Sequence, residues 1–327
     1  MKKLMIYGAS GYTGRLITSC LAPMGLNAII AGRNEAKVAP LAAQYAMPFR
    51  IFDLDNSDAI DRALTDVSVL LNCAGPFLAT ARPLMTAALR NGVHYLDTAA
   101  EPDSYLLAEQ VAQKASETGV MLLPGCGGSV AMLGCLTAYA VERIAVPAQI
   151  LIALHVSGMM SRGSALSAAG SISQETLKRY GGHLVARKPD ECRSFNFGQG
   201  AVSCFPVTLP DLITLWRQTA APDIETFVHI SGNTFPAGEI STMPEGPDEA
   251  ERKRHRYQAS VTVTAEDGAQ SQAILDTVNG YTFTAMAAAE AARRVQNGDV
   301  RPGFQTPAGL FGKTFAEAIA DTTITVF

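Results

Sequence analysis

Lys3-Leu-Met-Ile-Tyr-Gly-Ala-Ser-Gly-Tyr-Thr-Gly14 runs from a short apolar stretch straight into glycines spaced G-x-x-G-x-x-G, at Gly8, Gly11 and Gly14. The apolar stretch reads as a strand. Glycines at this spacing let the backbone turn sharply and come close to a pyrophosphate, while the following helix presents unpaired N–H groups to the negative charge. That helix is visible in the sequence, because Leu16, Ile17, Cys20, Leu21 and Met24 fall on one apolar stripe. Strand, turn and amphipathic helix together predict a dinucleotide site built from Gly8, Ala9, Ser10, Gly11, Tyr12, Thr13 and Gly14.

The end of the second strand decides which dinucleotide. NAD sites place an acid about 20 positions beyond the glycine turn for the ribose hydroxyl, whereas a nearby Arg accommodates the 2′-phosphate of NADP. Here Asn27-Ala-Ile-Ile-Ala31 leads into Gly32-Arg33-Asn34 with no acid, so Arg33 and NADP(H) are predicted. Later strand ends complete the candidate site, since ligands of doubly wound sheets bind beyond the carboxyl ends of the strands. Asp53 is placed to accept from the adenine amino group, or else to cap the next helix. Asn72-Cys-Ala-Gly-Pro-Phe77 offers Asn72, Ala74, Gly75 and Pro76, small or stiff enough for close approach to a ribose or nicotinamide. In His94-Tyr-Leu-Asp-Thr-Ala-Ala-Glu101, alternation puts Tyr95 and Asp97 on one face. Asp97 and Glu101 are the candidate catalytic carboxylates, suited to orienting substrate or moving a proton. Capping or an Asx turn is the competing role, and His94 reads as structural.

Composition narrows the function classes. The 327 residues, 48% hydrophobic and 17% charged, describe a folded chain of two domains, and a net charge of −4 gives no electrostatic footprint for nucleic acid. A small-molecule substrate is expected. The apolar run of the first strand stops at Gly8, too short for a signal peptide, and no run of about 20 apolar residues predicts a membrane span. Cys20, Cys73, Cys126, Cys135, Cys192 and Cys204 show no C-x-x-C pair, which suits reduced thiols and a cytoplasmic protein. No histidine spacing suggests a metal site. No tyrosine precedes a lysine by four positions, so the proton-relay pair of ordinary short-chain dehydrogenases is missing.

Strand signals near 27–31, 48–52, 68–72, 94–97 and 120–123 alternate with helical patterns near 34–46, 56–65, 80–91 and 103–118. Alternation predicts a Rossmann-type doubly wound parallel sheet over 1–128, completed by 279–327. Between them, 129–278 is expected to form an inserted α+β domain containing an antiparallel sheet, with a helix at 130–143 and strands near 149–156, 201–207, 225–231, 256–265 and 270–278. Glu266-Asp-Gly268 marks a hairpin between the last two. The polar stretch 233–255 reads as a surface excursion or a short charged helix. Apolar positions on both alternations, including Phe205, Val207, Phe227, Ile230, Val261, Val263 and Ile274, predict a homodimer formed through this sheet.

Gly8-Ala-Ser-Gly-Tyr-Thr-Gly-Arg15, Ala31-Gly-Arg33, Leu70-Leu-Asn-Cys-Ala-Gly-Pro-Phe77 and Gly92-Val-His-Tyr-Leu-Asp97 with Glu101 resemble the saccharopine dehydrogenase-like oxidoreductases. Within that group the set looks most like the trans-acting enoyl reductase branch. Glu245-Gly-Pro-Asp-Glu-Ala-Glu-Arg252, Gly280-Tyr281 and Gly303 to Ala308 extend the resemblance. It implies NADP(H), a Rossmann domain completed by C-terminal segments, and an inserted sheet domain for substrate and dimer contacts. One motif departs: family members carry acids after the Cys-Gly, where this chain has Gly128-Ser-Val-Ala-Met132. The expected function is hydride transfer between NADP(H) and a small organic substrate. The alternatives are an amino-acid imine reductase, with Arg82, Arg162, Arg179 and Arg187 as candidate carboxylate binders, and a non-catalytic NADPH-binding sensor.

Overall fold

The computed structural model describes residues 3–172, 175–188, 190–232, 239–319 and 321–327. The chain divides into two units, Met1–Gly128 with Thr284–Thr306, and Ser129–Phe283 with Pro307–Phe327. Elements alternate through the first 128 residues: β1 (Lys3–Tyr7), α1 (Tyr12–Leu21), β2 (Ala28–Gly32), α2 (Glu35–Gln44), β3 (Phe49–Ile51) and α3 (Ser57–Leu64). Then come β4 (Val67–Asn72), α4 (Phe77–Asn91), β5 (His94–Asp97), α5 (Pro102–Gln110), α6 (Ala112–Glu117) and β6 (Met121–Leu123). The second unit carries α7 (Gly128–Val141), β7 (Pro147–Ser157), α8 (Arg162–Ile172), β8 (Leu177–Tyr180), β9 (His183–Ala186), β10 (Arg193–Asn196), β11 (Ala201–Pro206), α9 (Asp211–Thr219) and β12 (Asp223–Ser231). The chain continues through α10 (Glu249–Arg254), β13 (Tyr257–Ala265), β14 (Gln270–Thr277), α11 (Gly280–Gln296), β15 (Gly303–Phe304), α12 (Pro307–Phe311) and β16 (Thr323–Val326).

In the first unit the strands lie in the order β15-β6-β5-β4-β1-β2-β3, every pair parallel. The chain starts at the centre and steps outward in both directions, the doubly wound arrangement expected. Leu4, Met5 and Ile6 on β1, Leu70 and Leu71 on β4, and Met121, Leu122 and Leu123 on β6 are wholly buried, because helices cover both faces. Asn56 caps α3, its side chain accepting from the Ala59 amide at 3.0 Å. The single helix expected over 103–118 is two, interrupted at Val111. The expected membership of 279–327 in this unit holds for 284–306 only; residues 307–327 group with the second unit, where β16 pairs antiparallel with β14.

The second sheet runs β10-β11-β12-β7-β13-β14-β16, with β8 and β9 off β12. It is mixed rather than purely antiparallel, because β7 and β12 at its centre are parallel. One face is apolar and buried: Ile150, Ile152 and Leu154 on β7 register with Val263, Val261 and Ala259 on β13, and Ala273 and Leu275 continue it on β14. The opposite face alternates to Leu151, Ala153 and His155 beside Thr262, Ser260 and Gln258, a largely polar surface. Where it reaches β12, Phe227 packs with Ala153, Phe195, Phe197 and Cys204 in a small core of its own. Of the polar stretch expected at 233–255, residues 233–238 lie outside the described residues, and 249–254 form α10.

Candidate functional site

Each glycine of the first turn has its own steric reason. Gly8 has a φ of +79°, and a Cβ there would lie 2.7 Å from the backbone nitrogen and Cβ of Ala74 beyond β4. A Cβ on Gly14 would sit 2.3 Å from the Gly8 carbonyl oxygen, so only glycine lets α1 start this close to the turn. Gly11 is the N-cap of α1, exposed and without a side-chain cap. The helix therefore begins without a side-chain cap and with no acid in its first turn, so its positive dipole end is not offset by a carboxylate of its own. A bare cradle that any Cβ would fill, opening on a helix N-terminus, fits a pyrophosphate. Within it the roles divide: the amides of Gly8 and Ala9 donate to the Ala31 carbonyl at 2.9 and 3.4 Å, and the Ala9 side chain is buried. These two residues are framework, and the Gly11 amide joins them by donating to the Gly8 carbonyl at 3.0 Å, so Ser10 and the first turn of α1 border the cradle.

At the end of β2, Arg33 is exposed. Asp53, beyond β3, is exposed as well and accepts from its neighbour's amide, Leu54, at 2.7 Å. Since Asn56 caps α3, the capping role considered for Asp53 is already taken. Both charges reach Tyr7, whose hydroxyl is pushed up to about 12, first by burial, then by the Asp53 carboxylate, with Arg33 opposing. The Tyr7 ring packs on Phe52 at 4.9 Å between centroids. Arg33, Asp53 and Tyr7 thus form one group beside the glycine turn.

The remaining predicted residues are drawn into a buried network that sequence reasoning did not anticipate. Asn72 is fully buried, its amide donating to Thr80 Oγ1 and the Tyr95 hydroxyl, both at 3.1 Å, while its oxygen accepts from the Ala74 amide at 3.0 Å. Thr80 closes the loop by donating to the Ala74 carbonyl at 2.6 Å. Asn72 therefore shapes the Ala74-Gly75-Pro76 turn and has no side-chain group left for a cofactor. Gly75 and Pro76 remain exposed on that turn.

Asp97 has the same fate. Its side chain is 0% exposed, and four donors converge on it: the amides of Ala99 and Gly125 at 2.9 and 2.8 Å, the Tyr95 hydroxyl at 3.0 Å and Ser104 Oγ at 2.7 Å. Burial raises its pKa and these hydrogen bonds oppose the shift. A carboxylate with every acceptor position engaged cannot orient a substrate, so the catalytic role expected for Asp97 is corrected to one of positioning. Ser104, in the first turn of α5, is one of the groups that hold it in place. Glu101 is half-buried and spans two turns, accepting from the Phe77 amide at 3.4 Å and the Ala100 amide at 3.1 Å. It ties the start of α4 to the end of β5. His94 accepts from the Met121 amide at 3.1 Å, the structural role expected. Tyr95 was legible as a same-face neighbour of Asp97, but Thr80 and Ser104 carry no local signal, because tertiary packing alone brings them in.

Comparison with known proteins agrees with this geometry. Residues 4–123 match the family model described as the saccharopine dehydrogenase NADP binding domain. The chain is 27% identical over 144 residues to the saccharopine dehydrogenase-like oxidoreductase of Bos taurus, covering 38% of this chain and 34% of that protein. It is 28% identical over 135 residues to the trans-acting enoyl reductase of Mycobacterium ulcerans (strain Agy99), covering 38% and 32%. The matched region thus spans about a third of these relatives, and the enoyl reductase does not stand apart from the others in identity. Among solved structures, apo saccharopine dehydrogenase (L-Glu forming) from Saccharomyces cerevisiae superposes with a TM-score of 0.68 at 12% identity, over the whole of both chains. Homospermidine synthase from Legionella pneumophila in complex with NAD gives 0.66 at 14%, over 100% of this chain and 91% of that one. These likenesses establish the fold. Over residues 4–123 the chain is thus similar to the dinucleotide-binding domain of the saccharopine dehydrogenase-like oxidoreductases.

Proposed function

We propose that the protein is an NADP(H)-dependent oxidoreductase acting on a small organic substrate, by transfer of a hydride to or from a C=C, C=N or C=O carbon. The observation that carries this reading is the exposed Arg33 directly beyond β2, where an acid would select NAD, set beside a glycine turn whose sterics exclude any side chain at Gly8 and Gly14. Ser10 to Gly14 would hold the pyrophosphate, Arg33 the 2′-phosphate, Asp53 the adenine amino group, and the exposed Gly75-Pro76 turn the nicotinamide end. The bound cofactor supplies the hydride chemistry; the chain contributes orientation and a proton.

The enoyl reductase-like resemblance makes unsaturated carbonyl compounds the first substrates to try. Two of the arginines considered for an amino-acid imine substrate are committed elsewhere. Arg179 donates to the carbonyls of Leu212 and Gly182, and Arg187 is buried against Glu225 at 3.1 Å. The enclosure of Asp97 favours one second reading, an NADPH-binding sensor, because it withdraws an expected acid from chemistry. NADPH deuterated stereospecifically at C4, incubated with enoyl, carbonyl and imine panels, separates the two. Label in a product is expected; tight binding with no transfer to any class makes the protein a sensor. The cysteine pattern supports a cytoplasmic location.

A further inference from the structure

The parallel strands β7 and β12 of the second unit end together, with His155 paired to His229 and Ser157 to Ser231. A glycine follows each serine: Gly158 at a φ of +86° and Gly232 at +76°. A Cβ on Gly158 would lie 2.8 Å from two ring carbons of His255, so the glycine is what admits that imidazole. Gly232 likewise adds no side chain beside the ring, where its Cβ would stand 3.9 Å from Cε1. Ser157 Oγ lies 2.9 Å from Nδ1 of this imidazole, and Glu251 Oε1 lies 3.3 Å from Nε2. Ser157 is half-buried, and the His255 and Glu251 side chains are 29% and 25% exposed, so solvent reaches the group. All three residues belong to the second unit.

The carboxylate selects the tautomer. Nε2 keeps its proton beside the negative Glu251, which leaves the Nδ1 lone pair to accept from the Ser157 hydroxyl. Glu251 is held in turn, accepting from the Met159 amide at 3.4 Å, and its helix α10 is capped by the Asp248 side chain, which accepts from the Glu251 amide at 2.8 Å. The neighbouring serine is built differently. Ser231 Oγ lies 2.8 Å from His155 Nε2, but the other nitrogen of that ring meets Gln258 Oε1 at 3.1 Å, and Gln258 is oriented by donating to Asp276 at 3.0 Å. A neutral amide stabilises an imidazolium less than a carboxylate does, and burial, with His229 edge-on at 4.9 Å, lowers the His155 pKa. Of the two serines, Ser157 alone has a base backed by a charge.

A hydroxyl on an imidazole whose far nitrogen faces a carboxylate is the arrangement that makes serine a nucleophile, and it is recognised by geometry and roles rather than by sequence position. We propose that Ser157, His255 and Glu251 form an acyl-transfer site, contained within the second unit, that hydrolyses small carboxylic esters. Ser157 is the nucleophile, His255 Nδ1 the base, and Glu251 the positioning charge. Met159 and Met160, half-buried just beyond the serine, supply adaptable apolar surface for a short acyl chain. The amides of Gly158 and Met159 are taken by the Ser231 carbonyl and Glu251, whereas those of Met160 and Gly232 have no acceptor among the described residues and are the donors left for the acyl oxygen.

The chemistry balances without a redox partner. Ser157 Oγ bonds to the ester carbon as its proton passes to Nδ1, and the carbonyl π electrons move to oxygen; they return as the C–O bond to the alcohol breaks and the alcohol oxygen takes the Nδ1 proton. Water then adds to the acyl-serine carbon, giving a proton to Nδ1, and Ser157 leaves with that proton. Ester and water become acid and alcohol. No dinucleotide takes part, so this activity stands or falls independently of hydride transfer.

The test uses the full-length protein with two probes, a fluorophosphonate that bonds stably to activated serines and p-nitrophenyl butyrate. Tandem mass spectrometry is expected to place a fluorophosphonate adduct on Ser157 and none on Ser231. Ser157→Ala, with its melting temperature compared to the unmutated chain, should lose the label and lower kcat/KM for p-nitrophenyl butyrate by roughly 100-fold or more. His255→Gln and Glu251→Gln should fall in the same direction, and Ser231→Ala should retain both label and hydrolysis. An unmutated protein with no adduct at Ser157, a label on Ser231 instead, or hydrolysis undiminished in Ser157→Ala overturns the proposal. Labelling of the unmutated chain carries the decision even where a variant fails to fold. Because NADPH binding and deuterium transfer are read separately, failure of the esterase leaves the oxidoreductase standing, and the reverse holds as well.

Discussion

At the scale of single residues, charge placement and hydrogen-bond capacity separate Arg33 from Asp97. Arg33 is exposed and available, so its loss should be read in binding. Removing a charge-assisted contact to the 2′-phosphate costs about 1.5–3 kcal/mol, so Arg33→Ala should weaken NADPH roughly 10- to 150-fold and leave NADH almost unchanged. Fluorescence titration with both cofactors checks this, and equal affinities in the unmutated protein would refute the NADP assignment. Asp97 is enclosed, so its loss should be read in stability. An amide at position 97 would set its own N–H donors against donors already aimed at the carboxylate, at a cost of about 3–5 kcal/mol. Thermal unfolding of Asp97→Asn should show a marked drop, with turnover following the folded fraction. Normal stability combined with lost turnover would return the carboxylate to chemistry.

At the scale of elements, the start of α1 and the start of α9 make opposite demands. Gly14→Ala drives a methyl to within 2.3 Å of the Gly8 carbonyl oxygen, so α1 must move off the turn. Loss of dinucleotide binding and a lower melting temperature are expected, and a variant that binds normally would contradict the close packing. In α9, Asp211 is wholly buried, neither carboxyl oxygen has a hydrogen-bond partner among the described residues, and burial pushes its pKa up to about 7. The folded chain therefore holds this proton more tightly than the unfolded chain does. Stability from this group is full below about pH 4 and falls as pH rises to about 7, by up to about 4 kcal/mol. Denaturant melts across that window should slope downward in the native chain and lie flatter in Asp211→Asn; parallel profiles would show the group is hydrated.

Elements also explain what could be read in advance. The first six strands of the first unit were legible because their apolar runs are separated by helical spacing, and the glycine turn because its sterics are local; β15, two residues long, was not. The short strands β8, β9 and β10 and the helix α9 escaped because they are brief, and in the strands exposed residues interrupt the apolar pattern. The parallel pairing of β7 with β12 was invisible for another reason: it joins strands separated by roughly 70 residues, and no local periodicity encodes a partner.

For the molecule as a whole, the second sheet has one buried apolar face and one largely polar face carrying Thr262, Thr264, Gln270 and Gln272, with Ile274 half-buried among them. We expect this face to be shared between copies in a homodimer. Light scattering at micromolar concentration should then give twice the 34.6 kDa chain mass, and Ile274→Arg should shift it toward the monomer. A mass of one chain throughout that range would rule the dimer out.

The first unit is also discontinuous in the chain, and the order of synthesis makes that consequential. Before β15 is added, its sheet ends in β6, fully apolar and buried; in the finished fold the carbonyls of Leu122 and of Val120, just ahead of β6, are taken by the amides of Gln305 and Gly303. At about 5–20 residues per second, roughly 180 residues separating β6 from β15 keep that edge waiting for about 9–36 s while the intervening chain is made. During the interval the ribosome holds out an unfinished sheet with a bare hydrophobic margin, a natural client for a chaperone that shields strand edges. Ribosome-bound chains arrested before residue 303 should be captured by such a factor and released once β15 has emerged.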